Sequence, residues 1–288
     1  MTTPQNHREK NEISPIGALL LISLLVGLIF LAPGPARAQE TRETQGIKLR
    51  LIPGGTYLLG SPANEPGRYA DEAQPHRVKV KPFYLGVTAV TNAQYARFLK
   101  ATGHRPPLYW RDKTLNAPNQ PVVGVTWEDA VAFCQWLTKV SGVLYRLPTE
   151  QEWERAARGT AGLRYPWGNE WDEKRANTQE AGHGMTTPVG QYSPDGDSPE
   201  GCADMVGNVW EWTDSPFEPY AGSSYQDEYY GQGLKVFRGG SYYDDKTTAR
   251  AACRDGNVIH YRDRNNGFRV VVGAASSPLD SESSEVSN

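Results

Sequence analysis

The sequence predicts an α+β fold that is rich in loops and low in regular secondary structure. Its 288 residues include eight Trp, fifteen Tyr, 29 Gly and 21 Pro, a composition typical of loops that are held together by aromatic packing. Three helix signals follow one another in the middle of the chain, and short strand patterns lie on both sides of them. The length and the 38% hydrophobic content are sufficient for one large globular domain or two small ones.

Each of the three predicted helices begins with a capping box. A threonine precedes Gln, Asp or Glu by three residues, and a glycine follows each helix, so both ends of each helix carry the expected signals. The helices are predicted over about 92–102, 127–141 and 150–158. In the second helix, Ala130, Phe133, Cys134 and Leu137 share one face, which predicts that Cys134 is a core residue.

Short segments of alternating or β-branched residues predict the strands. The segment 49–60 reads as strand, turn and strand, and the strand at 83–85 is expected to continue the sheet of the strand at 76–80. Further strands are predicted over 236–242, which is interrupted at its glycines, over 249–254, and in a last hairpin over 266–272. A Tyr-rich insertion spans about 216–233.

The two ends of the chain have the composition of segments outside the fold. Basic residues precede an apolar run over 16–31, and small residues over 35–38 predict cleavage of a signal peptide (1–38) before Gln39. The alternative is an uncleaved N-terminal anchor; both place the body of the protein outside the cytoplasm, with a periplasmic location expected. A polar linker is predicted over 39–48, a domain over 49–273, and a disordered tail over 274–288.

Charge and cysteine usage exclude several function classes. The formal net charge of −3 gives no indication of nucleic-acid binding. An odd number of cysteines (Cys134, Cys202 and Cys253) leaves at least one thiol without an intrachain partner. None has CxxC spacing, which argues against a zinc or dithiol centre, and each lies among apolar residues, so we predict that all three are buried.

The stretch 204–213 is the most informative segment. Gly207 and Asn208 predict a turn, and the alternation that follows places Trp210 on the opposite face from Glu211. Asp204 and Glu211 flank the turn and, with backbone carbonyls, could bind a hard cation such as Ca²⁺. The alternative is a tryptophan-anchored hairpin with solvated carboxylates.

Seven motifs, in this order and spacing, resemble the formylglycine-generating, sulfatase-modifying family. They lie at 52–57, 121–127, 145–154, 165–168, 207–212, 238–241 and 267–269. The resemblance covers nearly all of residues 49–272. It implies a single loop-rich domain with a C-type-lectin-like core and sparse regular structure.

The same resemblance implies a structural calcium ion at the central stretch. By position, Asp204 and Glu211 would donate side-chain oxygens, and Gly207 and Val209 would donate backbone oxygens. A second calcium site of the family is matched at 177–178, but alanine stands at 181 where the family has aspartate, so this second site is incomplete.

The sequence departs from the family at the catalytic cysteines. Formylglycine-generating enzymes bind copper with two cysteines after the Arg-Gly-Gly-Ser motif, whereas 242–252 contains no cysteine. Ala251 stands near the place of the second one, and Cys253 lies two residues, or about 7 Å, further along an extended strand. Because two soft thiolates select Cu(I), we predict that the chain is not a cysteine-dependent formylglycine-generating enzyme. Its five scattered histidines likewise argue against an iron-dependent sulfoxide synthase.

One branch of the family fits the remaining observations: it is exported, has a single domain and lacks the copper-binding cysteine pair. That branch is implicated in oxidising dihydropyoverdine to the aromatic chromophore of the siderophore pyoverdine. The resemblance implies a peptide siderophore precursor as substrate, other periplasmic maturation enzymes as partners, and membrane contact only through the uncleaved signal segment. Two alternatives remain open: a non-catalytic lectin-like binding or assembly protein, and a formylglycine-type enzyme with a rebuilt site.

By position in the family, Trp210, Arg254, Asn265 and Tyr242 are candidates for the lining of the substrate pocket. Trp210 could stack on a catechol-like ring, Arg254 could hold an acidic group or a developing phenolate, and Asn265 could bind a carbonyl group. The structural alternatives are a core indole, a buried ion-pair partner and a turn residue.

Oxidation of a dihydroquinoline ring also requires a proton acceptor. The resemblance implies Asp244, Asp245 and His260 as candidates because they occupy the region where the family keeps its chemistry, and the alternative for each is a solvated loop residue. The sequence has no dinucleotide or flavin motif. Molecular oxygen is therefore the simplest electron acceptor, with or without a catalytic metal.

Overall fold

The computed structural model describes residues 40–72 and 75–274. The predicted signal peptide (1–38) and nearly all of the predicted tail (274–288) lie outside the described residues. Within the described part, no helix is long and apolar enough to span a membrane.

Three α-helices lie in the middle of the chain, as the sequence predicts: α1 (Asn92–Thr102), α2 (Trp127–Ser141) and α3 (Glu150–Arg158). Each has a complete capping box, in which the threonine side chain accepts a hydrogen bond from the backbone of the third helical residue and that residue's side chain accepts one from the threonine backbone. The predicted apolar face of α2, including Cys134, is buried.

The described residues also form eleven short strands in three sheets. The strands are β1 (Thr41–Thr44), β2 (Ile47–Ile52), β3 (Gly55–Leu59), β4 (His76–Val80), β5 (Phe83–Gly86), β6 (Tyr145–Arg146), β7 (Trp210–Pro216), β8 (Lys235–Arg238), β9 (Arg254–Asn257), β10 (Asn266–Phe268) and β11 (Val271–Gly273). An antiparallel sheet has the order β1-β2-β5-β11-β6, a mixed sheet has the order β10-β7-β8-β9, and β3 pairs with β4. Only β10 and β7 run parallel in these sheets.

The segment predicted to be a linker instead begins the antiparallel sheet. Residues 41–44 and 47–52 form a hairpin, with Thr41 opposite Arg50. Ile47 and Leu49 are 4% and 2% exposed and belong to the main hydrophobic core. The linker prediction over 39–48 is therefore wrong for its described residues, because burial of Ile47 outweighs the polar composition around it.

Several predicted strand pairings are also wrong. The strands β4 and β5 are adjacent in the chain but belong to different sheets, and so do β10 and β11, which do not form the expected hairpin. Residues 249–252 are a turn, and a strand begins only at Arg254. In that turn Arg250 is fully buried and its guanidinium binds Glu65 and Glu72, so its burial reflects an ion pair and not the alternation of a strand.

Aromatic rings fill the main core between the first two helices and the mixed sheet. Tyr95 of α1 stacks on Phe133 of α2 with ring centroids 5.6 Å apart, and Phe268 of β10 meets Phe133 edge-on at 5.4 Å. Trp212 packs on Phe237 of β8 at 3.9 Å. This packing confirms that aromatic residues hold the loop-rich fold together.

A buried ion pair connects the mixed sheet to the antiparallel sheet. Glu211 of β7 accepts hydrogen bonds from Arg269 Nε at 2.6 Å and Nη2 at 2.8 Å, and from the Trp153 indole of α3 at 2.7 Å. Arg269 lies between β10 and β11 and also donates to the carbonyls of Gly86 and Ala203, at 3.0 Å each. The predicted alternation holds, since Trp210 and Trp212 pack toward Phe237 while Glu211 meets Arg269.

We predict that Arg269→Met lowers the free energy of unfolding by about 3–5 kcal/mol, because it leaves the Glu211 carboxylate buried without its partner. The matched control is Arg175→Met, which removes a partly exposed pair with Asp172 and should cost less than about 1 kcal/mol. Urea denaturation of both variants measures the difference. Equal losses would contradict the role assigned to the buried pair.

Candidate functional site

A cavity of about 760 Å³ opens beside the mixed sheet. Its walls come from β7, from β9, from a short 3-10 helix at Ala70–Glu72, from the loop after β8, and from the Tyr-rich insertion. This volume lies within the range of small-molecule sites. The insertion, whose role the sequence leaves open, thus forms one wall of the cavity.

The cavity brings together three of the seven residues predicted to act on or bind a substrate: Trp210, Asp244 and Arg254. Trp210 is 9% exposed, and its backbone N–H donates to the Asn265 carbonyl at 2.8 Å. The sheet therefore fixes the position of the indole where the cavity meets the core.

Asp244 lies in a tight turn that follows β8. Its Oδ2 accepts hydrogen bonds from the Ser241 backbone at 2.8 Å and from the Ser241 hydroxyl at 2.6 Å. Burial raises the pKa of Asp244 above its usual value, against the opposing effect of these hydrogen bonds. The carboxyl group is thus held in one position and is easier to protonate than a solvated aspartate.

Arg254 is both an ion-pair partner and a residue that lines the cavity. Its Nη2 donates to Glu150 at 3.1 Å and its Nη1 donates to the Glu218 carbonyl at 3.0 Å. The guanidinium lies 4.4 Å from the Tyr220 ring centroid. Its Nε is buried and has no hydrogen-bond partner among the described residues, so one donor remains available to a ligand.

A second arginine fixes this arrangement from behind. Arg238 of β8 donates to Glu154 at 2.6 Å, to Glu150 at 3.3 Å and to the Tyr220 hydroxyl at 2.7 Å. Glu150 therefore bridges Arg238 and Arg254. The network leaves little freedom to the guanidinium that lines the cavity.

The other four predicted residues, Asn265, Tyr242, His260 and Asp245, are not among those that line the cavity. Asn265 donates to the Ser241 hydroxyl at 3.2 Å, behind Asp244. Tyr242 is 2% exposed, and its hydroxyl faces the Arg264 carbonyl at 3.4 Å. His260 is exposed in the loop between β9 and β10. Asn265 and Tyr242 therefore support the site from outside it, and nothing in the geometry gives His260 a part in the chemistry.

Asp245, the remaining proton-acceptor candidate, is exposed and caps a turn. Its Oδ1 accepts hydrogen bonds from the backbone of Thr247 at 2.9 Å and of Thr248 at 3.1 Å. Asp245 thus matches the alternative stated in the sequence analysis, a solvated loop residue.

The cavity also contains acidic residues that sequence reasoning missed: Asp71, Asp227 and Asp255. Burial is the main cause that raises the pKa of Asp71 to about 6, and the nearby Arg254 opposes it. These residues come from three separate segments, and no motif marks them. Only Asp255 could have been found from the sequence, because it directly follows Arg254, which is itself a candidate for the pocket lining.

All three cysteines are buried, as predicted, and none of them forms a disulfide. Burial raises the pKa of the Cys202 thiol to about 11 and that of Cys253 well above its usual value. Cys253 lines the cavity, and it is the one cysteine among the described lining residues. Because their pKa values are raised, the thiols of Cys202 and Cys253 are poor nucleophiles.

The predicted calcium ligands surround the central turn. Gly207 has φ 74°, and a Cβ there would lie 2.5 Å from the Asn177 carbonyl oxygen, so only glycine fits. Asp204 also has a positive φ of 52°, and its Oδ2 accepts a hydrogen bond from the Gly190 backbone at 2.6 Å. Burial, with a contribution from Glu211, raises the pKa of Asp204 to about 6.

These residues fit a calcium ion in donor type and in charge. The Oδ1 of Asp204 and the carbonyl of Val209 accept no hydrogen bond from the described residues, and the Gly207 carbonyl and Glu211 Oε1 accept one each. Glu211 pairs with Arg269, and the Asp204 carboxylate forms no ion pair among the described residues, so a hard cation would balance the charge of Asp204. At the second family site the Oδ1 of Asn177 is buried without a partner, but Ala181 supplies no side-chain ligand.

Comparison with known proteins places this geometry in a family. The model of the sulfatase-modifying factor enzyme 1-like domain matches residues 35–274. The formylglycine-generating enzyme of Streptomyces coelicolor is 36% identical over 84% of this chain and 96% of its own length. The inactive C-alpha-formylglycine-generating enzyme 2 of Bos taurus is 30% identical over 93% of this chain and 98% of its own length.

Two solved structures have the same fold. PvdO from Pseudomonas aeruginosa superposes with a TM-score of 0.71 and 27% identity, over 82% of this chain and 98% of that one. The variable protein 1 of Treponema denticola has a TM-score of 0.67 at 22% identity, over 82% and 99%, a similarity that concerns the fold alone. The chain therefore belongs to the sulfatase-modifying factor enzyme 1-like family and has the formylglycine-generating-enzyme fold, with a structure similar to that of PvdO.

Proposed function

We propose that the chain is an exported, periplasmic oxidase of siderophore maturation that converts dihydropyoverdine to the aromatic pyoverdine chromophore. The observation that carries this proposal is the cavity, which joins Trp210, Asp244 and Arg254 beside a single cysteine. The similarity to PvdO and the absence of a cysteine pair after the Arg-Gly-Gly-Ser motif support it.

Each of the three residues has a part in the proposed oxidation. The indole of Trp210 stacks on the catechol-like ring, and the Nε–H of Arg254 donates to a ring oxygen on which negative charge develops. Asp244 accepts the proton that leaves the saturated carbon. The other hydrogen leaves as a hydride equivalent with two electrons, molecular oxygen accepts it, and with one further proton hydrogen peroxide forms.

A non-catalytic binding role is the second candidate. The insertion that walls the cavity is rich in Tyr and Gly, which make adaptable contacts, and one relative with 30% identity is named as inactive. Under this alternative the cavity binds the siderophore precursor or a partner enzyme without turnover.

We predict that the protein, purified from cells that express the full chain, accelerates formation of the aromatic chromophore from dihydropyoverdine in air. Absorbance and fluorescence of the chromophore measure the rate. Asp244→Asn should lower kcat/KM by about 10²-fold or more, because it removes the proton acceptor. Trp210→Phe should raise KM through weaker stacking.

The control is Asp195→Asn, an exposed aspartate away from the cavity, which should leave the rate unchanged. Because the pKa of Asp244 is raised, the wild-type rate should rise with pH above the usual carboxylate range, and Asp244→Asn should lack this rise. Binding of dihydropyoverdine without any acceleration would exclude the oxidase and favour the binding role.

We also propose a structural calcium ion at Asp204, Gly207, Val209 and Glu211. Calcium at about 100 times its Kd should stabilise the fold by about 2.7 kcal/mol, which raises the Tm by roughly 5 °C or more for a domain of this size. The chelator EGTA should reverse this shift.

Asp204→Gly removes the carboxylate without strain at the positive φ, and its Tm should not change with calcium or EGTA. Asp195→Asn should retain the full shift. A wild-type Tm that is the same in calcium and in EGTA would contradict the calcium site.

A further inference from the structure

We propose that the cavity recognises a positively charged group on its ligand, so that its ligand class is an aromatic ring, such as a catechol, with an attached cation. This inference deepens the proposed function and rests on it only for the claim that the ligand is then oxidised.

Unbalanced negative charge is the first observation. The lining residues that the structure describes include four aspartates, Asp71, Asp227, Asp244 and Asp255, and one basic residue, Arg254. Arg254 pairs with Glu150 at 3.1 Å, a carboxylate that it shares with Arg238, so the four lining aspartates outnumber the one lining arginine. Within the described ranges none of the four aspartates forms an ion pair, so the cavity contains carboxylates without a cation.

The hydrogen bonds of Asp227 and Asp255 are local and leave acceptor capacity. Asp227 Oδ1 accepts from the Tyr229 backbone at 3.0 Å, and Asp255 Oδ1 accepts from the Gly256 backbone at 2.8 Å. Burial raises the pKa of Asp71 to about 6, which indicates that the ionised form of Asp71 is poorly solvated. A bound cation would relieve this cost.

The walls of the cavity fit an aromatic ring. Trp210, Phe217, Tyr225 and Tyr229 line it together with the aspartates. Aromatic faces stack on planar rings and also attract cations. A ligand that is both aromatic and cationic therefore uses both kinds of surface at once.

The unpartnered Nε–H of Arg254 is an independent sign of a ligand. The Arg254 side chain is fully buried and lines the cavity, but this donor has no acceptor in the described chain. A ring hydroxyl or phenolate would accept its hydrogen bond. A bare metal ion does not explain the site, because no group of three or more described His, Cys, Asp or Glu residues could hold one.

Three catechols whose short side chains differ in charge test the inference. Calorimetric titration without oxygen compares dopamine (cationic), 4-methylcatechol (neutral) and 3,4-dihydroxyphenylacetate (anionic). Dopamine should bind at least about tenfold more tightly than 4-methylcatechol, with the anion weakest, and added salt should reduce this preference.

The variant Asp227→Asn/Asp255→Asn should lower the affinity for dopamine toward that for 4-methylcatechol and leave the neutral probe unchanged. Both side chains are at least partly exposed, so the variant should fold. Asp195→Asn is the matched control and should change neither affinity.

Equal affinities, tighter binding of the anion, or no binding of dopamine up to about 10 mM would overturn the inference. The outcomes are separable from those of the oxidase assay. A dopamine preference without oxidation of dihydropyoverdine supports the ligand class and rejects the oxidase. Oxidation of dihydropyoverdine without a charge preference supports the oxidase and rejects the ligand class.

Discussion

The buried pair of Glu211 and Arg269 is the interaction on which the rest of the structure depends. Glu211 belongs to the mixed sheet, while Arg269 lies in the short link between β10 of that sheet and β11 of the antiparallel sheet. The same guanidinium also reaches the carbonyls at 86 and 203. One side chain therefore joins two sheets and the central loop, in a protein whose regular elements are too short to do so by sheet pairing alone.

This anchoring determines where the candidate site lies. Because Glu211 points toward Arg269, its neighbour Trp210 points the other way, to the cavity. A second buried network, in which Glu150 bridges Arg238 and Arg254, fixes the opposite wall. The insertion closes the cavity with residues that make mostly local contacts. The site thus has charged and aromatic residues that the sheet and the buried ion pairs hold in place, and the Tyr-rich insertion forms one of its walls.

Local features of the fold could be predicted from the sequence, whereas long-range pairings could not. The capping boxes of all three helices and the alternation around Glu211 follow from spacing within a few residues. The partners of β4, β5, β10 and β11 depend on the packing of distant segments, which leaves no mark on short strands. The start of the hairpin at 41–52 could not be predicted because the polar composition of 39–48 conceals the buried Ile47.

The candidate site shows the same division. Trp210, Asp244 and Arg254 could be found because they lie at or near motifs that the family shares. Asp71, Asp227 and Asp255 meet only in the folded chain, because segments near 70, 227 and 255 are brought together by the insertion and the edge of the mixed sheet. His260 is a candidate by its position in the chain, but it is exposed and is not among the residues that line the cavity.

The most direct measurement asks whether oxidation takes place in this cavity. Val258 is 39% exposed and lines it, whereas Val143 is 46% exposed and does not. Val258→Trp should fill the cavity without removing any reactive group, and Val143→Trp is its matched control. The account predicts that oxygen consumption with dihydropyoverdine falls at least about tenfold only in Val258→Trp, the loss expected when a misplaced substrate cannot reach its reactive geometry. A Val258→Trp variant that consumes oxygen at the wild-type rate would contradict the account.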